Sequence, residues 1–178
     1  MESRNPNTMN NKIIIGIDPG LKGGIAFLEE TGNLINIACM PIMIHGRRNT
    51  VDINALSILL ESYEKDRTTV VVEAAQKFSA GTNALTSTWF GFGRITAMLE
   101  LMKMRHEIIK TPITWQKTFW TKPKMPKGTK FDTKAASIAA AKRLFPAHDF
   151  LPTQRCSKPS DGLTDAALIA EYGRRLNL

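Results

Sequence analysis

Apolar positions follow two rhythms along this chain, one continuous or alternating and one at helical spacing. The run from Lys12 to Asp18, KIIIGID, is unbroken aliphatic except for one glycine and reads as a buried strand. GGIAFLEE after the glycine-rich turn, and NLINIACM from Asn33, read as two more strands, with ETGN between them as a hairpin turn. Pro41 to Thr50 reads as a loop carrying Arg47 and Arg48. Residues 52–65, DINALSILLESYEK, place apolar side chains at 53, 56, 59, 60 and 63, which predicts a helix. After a turn at Asp66 and Arg67, TTVVVE is a second short β-branched run. It too ends in an acid, Glu73. A polar loop, AAQKFSAGTN, leads to a helical stretch from about Ala84 to Lys103, and then HEIIKT reads as a strand that Pro112 breaks. TKPKMPKGTK, residues 121–130, reads as an exposed loop, and DTKAASIAAAKRLF as a helix with Asp132 placed to cap it. Pro152 to Pro159 connects to a last helix from about Asp161 to Leu176. A three-strand meander, then helix, strand, helix, strand and two helices, predicts one α/β domain over 12–178. Its mixed sheet pairs the meander with parallel strands and is flanked by helices. Residues 1–11, MESRNPNTMNN, read as a disordered lead-in.

Composition narrows the class. A chain of 178 residues is long enough to bury one full core. No apolar run is long enough to span a bilayer, so no membrane partner is expected. The lead-in has neither the apolar segment of a secretory signal nor the Arg-rich, acid-poor character of a transit peptide. Cys39 and Cys156 are far apart with no CxxC spacing, which suggests neither a disulfide framework nor a zinc site; a reduced, cytoplasmic setting is the simpler expectation. His45, His106 and His148 are scattered and read as surface or packing residues.

The net charge of +8 says more once it is located. Between Lys103 and Arg143 stand eleven Lys or Arg against two acids, Glu107 and Asp132, which leaves +9; the remainder has thirteen basic and fourteen acidic residues, or −1. Clustered positive charge of this kind suits a polyanion, and nucleic acid is the natural one. Proline and aromatic residues interleaved with the lysines argue against a merely solvated surface.

Acids at the ends of apolar strands raise a chemical question. Asp18 either shapes the turn that follows it or is held rigidly to bind a metal ion or a phosphate. Glu73 ends its strand in the same way. If the two strands are parallel neighbours, both carboxylates emerge at the sheet edge where open α/β sheets bind ligands. In SDGLTDAALIAEYG, Asp161 and Asp165 are four apart and share one helix face. Asp161 has a structural explanation as a helix-start acid. Asp165, among alanines and aliphatics, has less. Four carboxylates brought together repel one another unless cations lie between them, and oxygen ligands suit Mg²⁺ or Mn²⁺. Two such ions about 4 Å apart can activate water and stabilise a leaving oxygen in phosphodiester cleavage. With the basic segment, the acids point to a metal-dependent nuclease.

GIDPGLKGGIA, the strand ending in Glu73 and the closing DGLTDAALIA helix together resemble the RuvC family of Holliday junction resolvases, from about Lys12 to Arg174. STWFGFGRI and PITWQK are similar to its phage and plastid branch. The resemblance implies an RNase H-like fold and a homodimer acting on branched DNA, the four-way junction. It implies a metal-binding and catalytic tetrad of Asp18, Glu73, Asp161 and Asp165 holding two Mg²⁺ ions, with Mn²⁺ able to substitute. Lys117 and Lys134 match positions where the family places basic residues near the scissile strand, and Phe78 sits where relatives present an aromatic to the opened bases. Lys124, Lys127 and Lys130 in the Pro-Lys loop are further expected DNA contacts, and Arg47, Arg48 and Arg94 are candidates for phosphates on their charge alone. The last two acids are four apart where the bacterial pattern has three; a helix accepts either on one face.

Other readings compete. GIDPGLKGG also resembles the phosphate-binding hairpin of actin-like and sugar-kinase ATPases, but those duplicate the core and this chain has room for one copy. A junction-binding protein without catalysis has no use for four acids facing phosphates. A nuclease for RNA–DNA hybrids or transposon ends shares the chemistry and differs in substrate. Trp89, Phe90 and Phe92 read as packing residues, with a dimer face as their other possible place.

Overall fold

Ile13–Ile17 is the middle strand of a five-stranded sheet, as expected of a strand whose side chains are aliphatic on both faces. The computed structural model describes residues 11–46, 48–76 and 82–178, the side chains of 82–85 excepted. The elements are β1 (Ile13–Ile17), β2 (Gly24–Glu29), β3 (Leu34–Cys39), β4 (Ile42–His45), β5 (Arg48–Val51), α1 (Ile53–Glu61), β6 (Thr68–Glu73), α2 (Thr82–Leu101), β7 (Arg105–Ile109), α3 (Pro112–Gln116), α4 (Thr133–Leu144) and α5 (Asp161–Arg175). The main sheet runs β3-β2-β1-β6-β7. The meander β1-β2-β3 is antiparallel, and β6 and β7 add in parallel on the other side of β1.

Alternation along the central strands divides the core in two. Ile15, Ile17, Phe27, Val70 and Val72 face Leu56 and Leu60 of α1 and Ile95 and Leu99 of α2. Ile14, Ala26, Leu28 and Val71 face the other way, onto Trp115, α4 and the alanine-rich α5. The fold is therefore three layers, helices on both sides of a mixed sheet. One glycine lets α5 lie directly on β1: a Cβ on Gly16 would collide with the Ala166 carbonyl and the Ala170 amide. That close approach brings the N-terminal end of α5 to the sheet edge where β1 ends.

The expected elements are present, with three corrections. Pro41 to Thr50 is not wholly a loop: β4 and β5 form a separate antiparallel hairpin. Its hydrophobic pattern is weak because the ribbon stands off the main sheet, leaving Ile42 and Ile44 exposed while only Thr50 and Val51 turn inward. Pro112 ends the β7 segment but also opens α3, where a missing N–H costs nothing. Trp89 and Phe90 do not pack within the chain, being 41% and 55% exposed, which leaves the dimer face as the other place expected for them; Trp89 meets Phe92 edge-on at 6.0 Å. Asp132 does cap α4, accepting from the Ala135 N–H at 3.0 Å. The lead-in 1–11 lies, except for Asn11, outside the described residues.

Candidate active site

Parallel register sets the first pair of acids. Ile17 pairs with Val72, so the next residue on each strand, Asp18 and Glu73, emerges at the same edge. Both line one small cavity of about 240 Å³ with Pro19, Ala75, Gln76 and Thr88. Asp18 fills the first of the two roles its position raises, that of shaping the turn. Its Oδ1 accepts the Gly20 N–H at 3.2 Å and shapes the turn, and the carboxylate still faces the cavity.

The second pair arrives on α5. A Cβ on Gly162 would strike the Lys22 carbonyl and Gly23, so this glycine lets the first turn of α5 sit against the β1–β2 turn. Asp161 and Asp165, one turn apart, are each met by a side chain of α4. Lys134 Nζ lies 2.6 Å from Asp161 Oδ2, and the Ser137 hydroxyl donates to Asp165 Oδ1. Lys134 and Ser137 are three apart on α4, a spacing that matches the four-residue spacing on α5. The structural explanation open to Asp161, that of a helix-start acid, is not the one its carboxylate takes up: it is engaged by Lys134, and Ser160 is the N-cap without a side-chain cap bond.

The acids feel one another electrostatically. Burial pushes the Asp18 carboxyl up to about 6; the Gly20 N–H opposes this and the charge of Asp161 adds to it. Burial raises Glu73 to about 8 against the stabilising Trp115 hydrogen bond, with Asp18 and Asp165 contributing repulsion. Asp165 rises to about 7, again mainly through burial, with Ser137 opposing and Asp18 and Asp161 adding. The hydrogen bond and charge of Asp161 hold the Lys134 ammonium above its usual value. Among the described residues, no three His, Cys, Asp or Glu side chains are gathered tightly enough around one point to hold a metal ion.

Two side chains that support the acids were not singled out from the sequence. Trp115 is fully buried and donates its indole N–H to Glu73 Oε2 at 2.6 Å. Ser137 is 2% exposed and lies 3.3 Å from Thr164 Oγ1 as well as on Asp165. The sequence carries only a general hint for each, without naming the partner. A buried tryptophan needs an acceptor for its N–H, and Ser137 stands where α4 turns its small residues inward.

The expected DNA-contacting residues divide. Lys134 is at the acids. Lys117 is the exposed C-cap of α3, two residues after the tryptophan that touches Glu73. Lys124, Lys127 and Lys130 are exposed along the 121–130 loop. Arg94 is elsewhere: it donates to Thr50 Oγ1 at 3.4 Å and stacks its guanidinium over Phe90 at 5.5 Å. Phe78 and Arg47 lie outside the described residues.

No family model and no curated protein matches this sequence. Solved structures do. The chain is similar to a structure described as Thermus thermophilus RuvC in complex with Holliday junction substrate, at 13% identity and a TM-score of 0.53, covering 93% of this chain and 96% of that one. It is similar to a second Thermus thermophilus RuvC structure at 17% identity and the same TM-score, with the same coverage. The expected architecture is therefore the observed one, and the chain has the RNase H-like fold of RuvC over nearly its whole length.

Proposed function

We propose that this chain is a divalent-metal-dependent endonuclease that resolves four-way DNA junctions by paired nicks. The observation carrying the reading is the convergence of two strand-end acids, Asp18 and Glu73, with two helix acids, Asp161 and Asp165, at one edge of the sheet. A purely structural cluster would be neutralised within the fold. Here three carboxyls are pushed upward, and Lys134 is the one cation bonded to the set among the described residues.

The donor set fits a hard cation in kind, since it offers carboxylate oxygens alone and, once ionised, carries negative charge in excess of Lys134. Asp18, Glu73, Asp161 and Asp165 would hold the two Mg²⁺ or Mn²⁺ ions, whose chemistry when bound is to activate water and stabilise the leaving oxygen. The side chains must turn inward for this, because no three now share a point and Asp161 is held by Lys134. Trp115 and Ser137 are positioning residues, each holding one carboxylate oxygen so that the other faces the substrate. Lys117, Lys124, Lys127 and Lys130 supply mobile charge along an exposed surface and grip the phosphate backbone. A homodimer gives two such sites related by a two-fold axis, which suits two cuts on opposed strands.

The test is cleavage of a synthetic four-way junction beside its linear duplex arms and a three-way branch, with Mg²⁺, Mn²⁺ or chelator. Symmetric, metal-dependent nicks restricted to the four-way form are expected. Cutting of every branched form would leave a broader nuclease on the same fold. Tight junction binding without cutting under any metal would leave a DNA-binding protein. Lys117→Ala should weaken binding and lower the salt slope by about 0.9, one phosphate contact, while His106→Ala changes little. Equal effects at the two positions would count against this surface.

A further inference from the structure

A larger cavity, about 570 Å³, lies between the β4–β5 hairpin and α2. The hairpin contributes His45, Arg48, Asn49 and Thr50, and α2 contributes Ser87 and Phe90 among others. Three features identify its chemistry. Among the described residues no carboxylate lines it, while Arg48 and His45 do, and Arg94 reaches its wall through Thr50 and the Phe90 ring. His45, Arg48 and Asn49 are exposed, and their side chains make no hydrogen bond or ion pair among the described residues. Phe90 is more than half exposed with a guanidinium already over it. Arginines with no acid beside them among the described residues, unused polar groups and an open aromatic ring are complementary to a phosphodiester with an unstacked base.

The position is suggestive too. Leu21 of the β1–β2 turn forms one wall, three residues beyond Asp18. Helix α2 faces both cavities, with Thr88 lining the one at the acids and Ser87 and Phe90 lining this one. A Cβ on Gly91 would lie 3.2 Å from Val51 Cγ2 and 3.4 Å from the Pro19 carbonyl, so hairpin, turn and helix meet closely there.

We propose that this cavity binds an unpaired nucleotide of the DNA, its base against Phe90 and its phosphate at Arg48 and Arg94. The inference rests on the DNA-directed reading above and extends it: the acids cut a backbone, and the hairpin cavity holds a nucleotide that the branch leaves unstacked. The hairpin would thereby select DNA with unpaired positions over continuous duplex.

Binding in chelator tests this without any need for cleavage. The full chain is titrated against labelled oligothymidylate and against a duplex of equal length, as wild type, Phe90→Ala, Phe90→Trp and Arg48→Ala. Phe90→Ala should lose about tenfold in affinity for the single strand and little for the duplex, and Phe90→Trp should restore it. Arg48→Ala should lower the single-strand salt slope by about 0.7. Unchanged single-strand binding in Phe90→Ala and Arg48→Ala overturns the proposal. So does an equal loss on both ligands, which would describe a general phosphate groove. A change of oligomeric state in Phe90→Ala by light scattering would assign the face to a second copy of the chain. A protein that resolves junctions but shows any of these three results loses this inference alone; one that cuts nothing yet shows the expected losses keeps it.

Discussion

Helix α5 carries two inward-facing carboxylates six residues apart, and the fold treats them oppositely. Glu171 is 3% exposed, and burial by itself would raise its pKa. Hydrogen bonds from Arg174 at 2.6 and 3.0 Å and from Arg175 at 2.7 Å outweigh that and hold it below the usual carboxylate range. Those arginines are themselves placed, one donating to the Glu30 carbonyl and the other lying over Phe119 at 5.0 Å. Asp165 has a serine hydroxyl for a partner and two acids for neighbours, and it is pushed up to about 7. A buried charge answered inside the chain holds a helix end in place. A buried charge left unanswered is costly to the fold, and such sites are where function is to be sought.

The sharpest way to break that comparison is Asp165→Asn. It keeps the shape and an acceptor for Ser137 but removes the charge, so junction cleavage should fall roughly a thousandfold or more while junction binding persists. A variant that cuts as well as wild type would reduce Asp165 to a structural residue like Glu171. Next in size is Trp115→Phe, which retains the buried ring and deletes the N–H that fixes Glu73. Loss of a supporting hydrogen bond of this kind typically costs about ten- to a hundredfold in metal affinity or rate. The same variant should need more Mg²⁺ for half-maximal cleavage. A lower melting temperature with an unchanged Mg²⁺ requirement would make Trp115 a packing residue only.

Glu171→Gln examines the other side. It leaves the two arginines without their carboxylate. Breaking a fully buried pair costs about 3–5 kcal/mol, but Arg174 and Arg175 keep 31% and 39% of their side-chain surface in water. A loss nearer to about 1–2 kcal/mol in chemical denaturation follows, with the cleavage rate per folded molecule unaltered. An activity loss exceeding the stability loss would show that the far end of α5 also sets the position of Asp165.

The pattern that made Asp18 and Glu73 visible was strong because a strand buried on both faces leaves few polar residues, so an acid at its end stands out. Asp161 and Asp165 were legible from their spacing alone. Ser137 and Trp115 were not, because their roles depend on which helix packs against which. Small residues on α4 fit many neighbours, and an indole N–H gives no sign of its acceptor. The β4–β5 hairpin escaped for another reason: a two-stranded ribbon outside the sheet has no continuous apolar face, so Ile42 and Ile44 alternate with nothing buried beneath them. What the sequence could not encode locally was therefore contact between elements, and the nucleotide cavity, built from hairpin, turn and helix, is of that kind.

The smallest expected effect gives the comparison its sign. Asp18, Glu73 and Asp165 have folded values of about 6, 8 and 7, above the ordinary carboxylate range near 4. Between those limits the native state holds more protons than the unfolded chain. The stability these groups allow is complete below about pH 4 and is lost as pH rises through their folded values. Glu171 runs the other way: its value is depressed, so its contribution is present above the unfolded pKa and fades as pH falls through the lower folded one. In chelator, Asp165→Asn should therefore melt above wild type at alkaline pH, by a few degrees at most, and the gap should close near pH 5, where Asp165 in the wild type is itself neutral. Glu171→Gln should melt below wild type at neutral and alkaline pH and approach it only in strong acid. Added Mg²⁺ should raise the wild type more than Asp165→Asn and reverse their order at alkaline pH. Two variants on one helix whose melting curves diverge from wild type in opposite directions would show that the site's charge is unbalanced by construction; parallel curves would mean that Asp165 is compensated within the fold as fully as Glu171.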